Sequence, residues 1–156
     1  MGCDSVPPVT NAVETVQGFW GALYARDWDG IKSFFTDDSV YYDVPTGGLS
    51  AARGGDRIEA RLRLGIEPLS DYRHHLRNMA ADGDVVFTEH QEDWYFHTGE
   101  VVKLPFVSVQ HVEDGRITLW KDYWDYSTLM NGAPAWWHER LATADLWWVS
   151  EVPPLT

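Results

Sequence analysis

The chain has 156 residues, enough for one domain with a substantial core and too few for two. With 44% hydrophobic and 23% charged residues it reads as globular, not disordered. A formal charge of −12 repels nucleic-acid phosphates and anionic membrane surfaces, which excludes those partners without naming another.

Cys3 is the only cysteine, so neither a disulfide framework nor a cysteine-rich zinc site is available. Met1-Gly2-Cys3 opens like a lipidation signal, but Val6 stands where a myristoylation motif needs Ser or Thr. No apolar run approaches the roughly 20 residues of a membrane span, and a cytoplasmic location is expected. Nine tryptophans supply large rigid surfaces suited to a core or to the walls of an apolar pocket.

Residues 1–9, ending near Pro7-Pro8, read as a flexible lead. From Thr10 as N-cap, Val13, Val16, Phe19, Trp20 and Leu23 recur at helical spacing until about Arg26. Asp27-Trp28-Asp29 opens a second short helix through Phe34 and Phe35, broken by Thr36-Asp37-Asp38. A short strand follows, Ser39 to Val44, stopped by Pro45 and Gly47-Gly48, with Tyr41 and Asp43 on one face. After a small-residue loop around Ser50-Ala51-Ala52, Gly55-Asp56 starts a third helix. There Arg57, Glu59, Arg61 and Arg63 read as a solvated face.

From Asp71 the pattern is extended, with strands near 71–80, 85–96, 100–113 and 116–126. Hairpin turns at Asp82-Gly83-Asp84, His97-Thr98-Gly99 and Glu113-Asp114-Gly115 make them an antiparallel meander. A short helix from Ser127 to Met130 should follow, and Pro134 opens a last helical stretch with Trp136, Trp137 and Leu141. The expected fold class is α+β: a curved antiparallel sheet packed against three N-terminal helices around a deep apolar pocket. The main domain spans 10–130, and 131–156 form a C-terminal helical extension.

One residue on this scaffold demands an explanation. Strand alternation puts Asp122 on the same face as Trp120 and Trp124, and an acid between two indoles is costly unless partnered or used. On another strand His90 and Glu92 share a face with Thr88 and Trp94, and meander pairing can set them beside Asp122. Tyr41 and Asp43 alternate correctly to join them. Carboxylates crowded into an apolar cone push their pKa values apart, which gives one site both an acid and a base. Plainer readings stand beside this one. His90 fits a core histidine, Asp43 a turn residue before Pro45, and a one-residue register slip would send Glu92 to solvent.

His74-His75 suggests a metal site with His90 and Glu92, but adjacent strand residues face opposite ways, and no metal or other cofactor is expected. Asp125 suits an N-cap for the next helix. Trp136-Trp137-His138 suits a cover over the cone mouth or a dimer contact.

Two segments carry a resemblance. Phe87-Thr88-Glu89-His90-Gln91-Glu92 and Asp114-Gly115-Arg116-Ile117-Thr118-Leu119-Trp120-Lys121-Asp122-Tyr123-Trp124-Asp125, with the order of elements, resemble the limonene-1,2-epoxide hydrolase group of the NTF2-like (SnoaL-like) superfamily over about residues 10–130. The resemblance implies Asp122 as the base that deprotonates water. It implies His90 and Glu92 at the positions of a basic residue and an acid that bridge the carboxylates and protonate the epoxide oxygen, and Tyr41 and Asp43 as holders of the water. It implies substrate contacts at Trp20, Leu23, Trp94, Leu104, Phe106 and Trp124, and pairing into a homodimer through the outer sheet face. Three departures fall on this set: His90 stands for an Arg, Glu92 for an Asp and Asp43 for an Asn, so a permanently charged fork has become a titratable ring.

Three functions follow in order: a cofactor-independent epoxide hydrolase acting on a bulky apolar small molecule, an isomerase or cyclase of the SnoaL or ketosteroid-isomerase kind, and a non-catalytic binding module. Buried carboxylates count against the last, because an apolar ligand gains little from them.

Overall fold

The computed structural model describes residues 11–153, so residues 1–9 and the expected cap Thr10 lie outside the described residues. The first helix, α1 (Ala12–Tyr24), is capped by Asn11, whose side chain accepts from the Val13 N–H at 2.9 Å. Its stripe of Val16, Phe19, Trp20 and Leu23 is buried to 4% exposure or less, each such side chain contributing roughly 1.5–3 kcal/mol. A short α2 (Trp28–Lys32), capped by Asp27, ends earlier than expected.

The reason is Phe35. It is buried, 5.5 Å from the Phe19 ring and stacked on Trp120 at 6.4 Å, so it begins β1 (Phe35–Asp43) and does not close a helix. Thr36-Asp37-Asp38 is a bulge within that strand and not a break. Ser39 Oγ accepts from the Thr36 N–H at 2.8 Å and donates to the Ile117 carbonyl at 2.6 Å while the register shifts. A 3₁₀ turn and a two-residue strand, β2 (Ala52–Arg53), replace the expected loop.

Helix α3 (Gly55–Ile66) buries Ile58, Leu62 and Ile66. The meander then runs through β3 (Asp71–Asp82), β4 (Val85–Tyr95), β5 (Val101–Glu113) and β6 (Arg116–Trp124). The sheet order is β2-β1-β6-β5-β4-β3, antiparallel except for β1 against β6, which is parallel. That pair sets Tyr41 beside Trp120 and Asp43 beside Asp122. Asp114 and Gly115, at φ 49° and 72°, form the tight turn between β5 and β6, where two left-handed residues match the strand twist.

Along β5 every second residue from Val102 to Val112 is buried, so one face of the sheet closes over the helices as the wall of a cone. Asp125 caps α4 (Tyr126–Gly132), accepting from the Thr128 N–H at 3.0 Å. A last helix, α5 (Ala135–Ala142), leads to a tail that returns to β2, where Val149 bridges Ala52 and the Ser150 N–H donates to the Ala51 carbonyl at 2.8 Å. Among the described residues no helix is long and apolar enough to cross a membrane.

Candidate active site

The cone encloses a cavity of about 280 Å³, just below the roughly 300–1,000 Å³ typical of small-molecule pockets. Asp122, Glu92, Tyr41 and Asp43 all stand on its wall. So do Leu23, Trp94, Phe106 and Trp124. Trp20, Leu104 and His90 do not. Trp20 fills the space behind the wall, its indole N–H aimed at Thr88 Oγ1 at 3.4 Å and its ring 4.8 Å from His90, and Leu104 is fully buried in the core.

Asp122 is 4% exposed, and its oxygens are differentiated. Oδ1 accepts from the Trp120 indole N–H and from Ser108 Oγ, both at 2.5 Å, while Oδ2 faces the Tyr41 hydroxyl at 3.3 Å. Trp120 is therefore a donor to the acid and not merely an apolar neighbour. Burial pushes the Asp122 pKa up to about 7, with the nearby Glu92 adding to the rise and the Ser108, Trp120 and Arg61 contributions opposing it. A base with a pKa near the working pH is the most effective kind.

Tyr41 shares its hydroxyl proton between Asp122 and Asp43, the latter at 3.1 Å, and its ring stacks on Trp120 at 3.8 Å. Asp43 is held in turn by the Trp124 indole N–H at 2.8 Å and by an ion pair with Arg61. Arg61 is the residue that the charge pattern of α3 misassigns. It leaves the solvated face, donates to the Tyr41 oxygen at 3.3 Å, and lies 4.5 Å over the Tyr41 ring. Its spacing offered a signal, because position 61 belongs with Ile58, Leu62 and Gly65 to the stripe three and four residues apart that faces inward. The site thus has a fixed cation, brought by α3 and not by the strand that carries His90.

Glu92 is clamped by three donors. Tyr24 and Tyr72 both donate to Oε1 at 2.6 Å, and the Trp94 indole N–H donates to Oε2 at 2.8 Å. Burial still raises its pKa, the three hydrogen bonds acting the other way. Oε1 is fully occupied, whereas Oε2 keeps one direction open.

His90 does not bridge the two acids directly. Its Nε2 lies 2.8 Å from Ser108 Oγ, and its Nδ1 lies 3.1 Å from His74 Nε2 and 3.5 Å from the Tyr24 hydroxyl. Burial pushes His90 down to about 3 and His74 to about 4, with His74 adding to the fall at His90 and His75 to that at His74, so both rings are neutral near pH 7. The His74-His75 pair splits across the sheet as alternation requires, His75 pairing with Asp93 at 2.9 Å on the other side. Tyr24, Tyr72, Ser108 and Arg61 complete the site without having been singled out in the sequence. Ser108 and Gln110 did leave a trace, as polar residues continuing the inward-facing row of Val102, Leu104 and Phe106.

A family profile described as a SnoaL-like domain matches residues 16–120. The chain belongs to the SnoaL-like family, within the NTF2-like superfamily. It is 34% identical to epoxide hydrolase EphG of Mycobacterium tuberculosis (strain ATCC 25618 / H37Rv) over 117 residues, covering 75% of each chain. The solved structure of an M. tuberculosis LEH-like epoxide hydrolase superposes with a TM-score of 0.66 at 33% identity, covering 81% of this chain and 94% of that one. A candidate SnoaL-like polyketide cyclase from Shewanella putrefaciens CN-32 shares the fold at a TM-score of 0.69 and 19% identity, covering 85% and 97%. The SnoaL-like fold is thus common to relatives described by two different chemistries.

Proposed function

We propose that this SnoaL-like protein is a cofactor-independent hydrolase that opens an epoxide on an apolar small molecule by acid–base activation of water. One observation carries the reading: a buried carboxylate poised near neutrality, Asp122, shares a Trp-lined cavity with a second carboxyl group, Glu92, of raised pKa. Asp122 Oδ2 takes the proton from a water oriented by Tyr41 and Asp43, and the water oxygen attacks one epoxide carbon. Glu92 gives a proton from the open side of Oε2 to the oxygen of the breaking C–O bond. Arg61 pairs with Asp43 and donates to the Tyr41 oxygen, which fixes both. Acid–base groups so placed contribute typically about 10²–10⁴-fold each. The similarity to the mycobacterial epoxide hydrolase supports the same reading.

The test is hydrolysis of a terpene or styrene-type epoxide in ¹⁸O water. One ¹⁸O should enter the diol, and Asp122→Asn should abolish turnover. No turnover by the wild type across a varied epoxide panel sinks the reading.

A second reading, abstraction of a carbon-bound proton in an isomerase or cyclase, is favoured by one feature. The site's cation pairs with Asp43 and does not bridge Asp122 and Glu92. That activity would exchange substrate C–H for deuterium from D₂O and incorporate no ¹⁸O. For either enzyme a homodimer through the outer sheet face, where Phe87, Val107 and Tyr123 are exposed, is expected and is measured by sedimentation.

A further inference from the structure

The donors around Glu92 are unevenly shared between its two oxygens. Tyr24 and Tyr72 both donate to Oε1 at 2.6 Å, whereas Oε2 accepts one hydrogen bond, from the Trp94 indole N–H at 2.8 Å. A carboxyl oxygen has two lone-pair directions, so Oε1 is saturated and Oε2 keeps one direction free. Opening an epoxide asks Glu92 for a proton, and two phenols on the same oxygen decide where that proton can sit.

The phenols come from distant parts of the chain. Tyr24 ends α1, and Tyr72 lies on β3 opposite Trp94 in the β3–β4 register. Tyr24 stacks on His74 at 3.9 Å and lies 4.8 Å from the Tyr72 ring, while Tyr72 meets Trp94 edge-on at 6.1 Å. Ring packing thus places both hydroxyls. Burial, and then the charge of Glu92, hold both phenols well above their ordinary pKa, so they stay protonated donors.

We propose that Tyr24 and Tyr72 are positioning residues for the acid: they confine its proton to Oε2, the oxygen with a free direction, and they hold the carboxylate left when the proton is given up. The inference rests on the hydrolase reading for the direction of proton transfer, and on geometry for the oxygen that carries the proton.

In the neutral acid Oε1 is the carbonyl oxygen and accepts from both phenols, while the Oε2 hydroxyl accepts from Trp94 and donates to the epoxide. A proton on Oε1 would face two O–H donors and strand one of them. During opening the Oε2–H bond breaks and a new O–H bond forms on the epoxide oxygen as its C–O bond breaks. The electron pair of the Oε2–H bond stays on Glu92. That charge spreads over both carboxylate oxygens, so the phenol hydrogen bonds strengthen as it develops. Tyr24 is not on the cavity wall and acts only through Glu92, whereas Tyr72 stands on the wall as well.

The pH profile of the reaction tests this. Tyr24→Phe and Tyr72→Phe each keep the ring and remove one donor. The phenol hydrogen bonds favour ionised Glu92, and a reaction that needs the neutral acid is lost as pH rises through the Glu92 pKa. Each variant should therefore carry the alkaline limb of its kcat profile to higher pH, and the double variant further, while the acidic limb set by Asp122 moves less. At the plateau kcat should fall about two- to tenfold per hydroxyl, the worth of one hydrogen bond. For Tyr24→Phe the loss should fall on kcat more than on KM. Incorporating 3-fluorotyrosine at position 24 keeps the shape and supplies a more acidic donor, which should carry the alkaline limb to lower pH even if a Phe variant fails to fold.

An alkaline limb that stays in place or moves the other way in any of these proteins overturns the proposal, as does a loss at Tyr24 confined to KM. A wild type inactive on every epoxide defeats the hydrolase reading instead. The phenol pair is then judged by ¹³C titration of the Glu92 carboxyl carbon, assigned with Glu92→Gln. A higher midpoint in both Phe variants supports the pair, and an unchanged midpoint overturns it.

Discussion

Asp122 shows what the site costs the fold. Its carboxyl group is buried among Trp120, Tyr41 and Ser108, and its pKa rises from the ordinary carboxylate range to about 7. The neutral form is thus favoured in the folded state. Stability owed to that preference is fully present below the unfolded pKa near 4 and is lost as pH rises through about 7. Asp122→Asn, neutral at every pH, should therefore be more stable than the wild type at pH 8, by an amount on the order of a few kcal/mol at most, and melt at a higher temperature, with the gap closing toward pH 5. Thermal melts at the two pH values check this, and a gap that widens on acidification would contradict the burial argument. The residue was legible in sequence because two flanking aromatics made an acid on that face conspicuous. Tyr24 was not, because a hydroxyl on a helix is compatible with any surface until the partner across the cone is known.

At the scale of elements, the site depends on two strands meeting in parallel and one helix reaching in. The β1–β6 register sets Asp43 directly beside Asp122, a juxtaposition of two carboxylates that the α3 guanidinium makes tolerable. The meander and its turns were readable, because period-two alternation and Gly-containing turns are local signals. The parallel pairing of β1 was not, because it is decided by contacts far along the chain, and the inward spacing of Arg61 was masked by the charges at 57, 59 and 63 around it. Arg61→Met should leave Asp43 as an unpaired buried charge and cost roughly 3–5 kcal/mol, whereas Arg61→Met with Asp43→Asn should recover much of the loss. Urea denaturation of both singles and the double measures the coupling. Additive losses would mean that the pair contributes nothing beyond its separate side chains.

For the molecule as a whole, the segment after α4 decides what the cone can hold. Trp137, Leu141, Leu146 and Trp148 from this segment all line the cavity, and the tail is stitched to the body by Arg57, which donates to the Trp147 and Val149 carbonyls at 2.8 and 3.2 Å. The Trp137 and Trp148 indoles occupy space on this side of a cavity of about 280 Å³. Trp148 is the member to remove. It is 7% exposed, its indole nitrogen has no hydrogen-bond partner among the described residues, and its ring lies 5.8 Å from the Arg61 guanidinium, while Asp122 and Glu92 are hydrogen-bonded to other side chains. Trp148→Ala should therefore shift the ranking of kcat/KM along a series of epoxides toward bulkier members. It should also lower stability by an amount that approaches the roughly 3–5 kcal/mol of a core truncation only if the tail stays in place around the void. Trp148→Phe should keep the wild-type ranking. Measuring kcat and KM separately tells widening from damage: a wider mouth lowers KM for the larger epoxides at nearly constant kcat, whereas displacement of Arg61 lowers kcat for all of them alike. A ranking unchanged by Trp148→Ala would assign the size limit to the inner wall at Leu23, Phe106 and Trp124 instead.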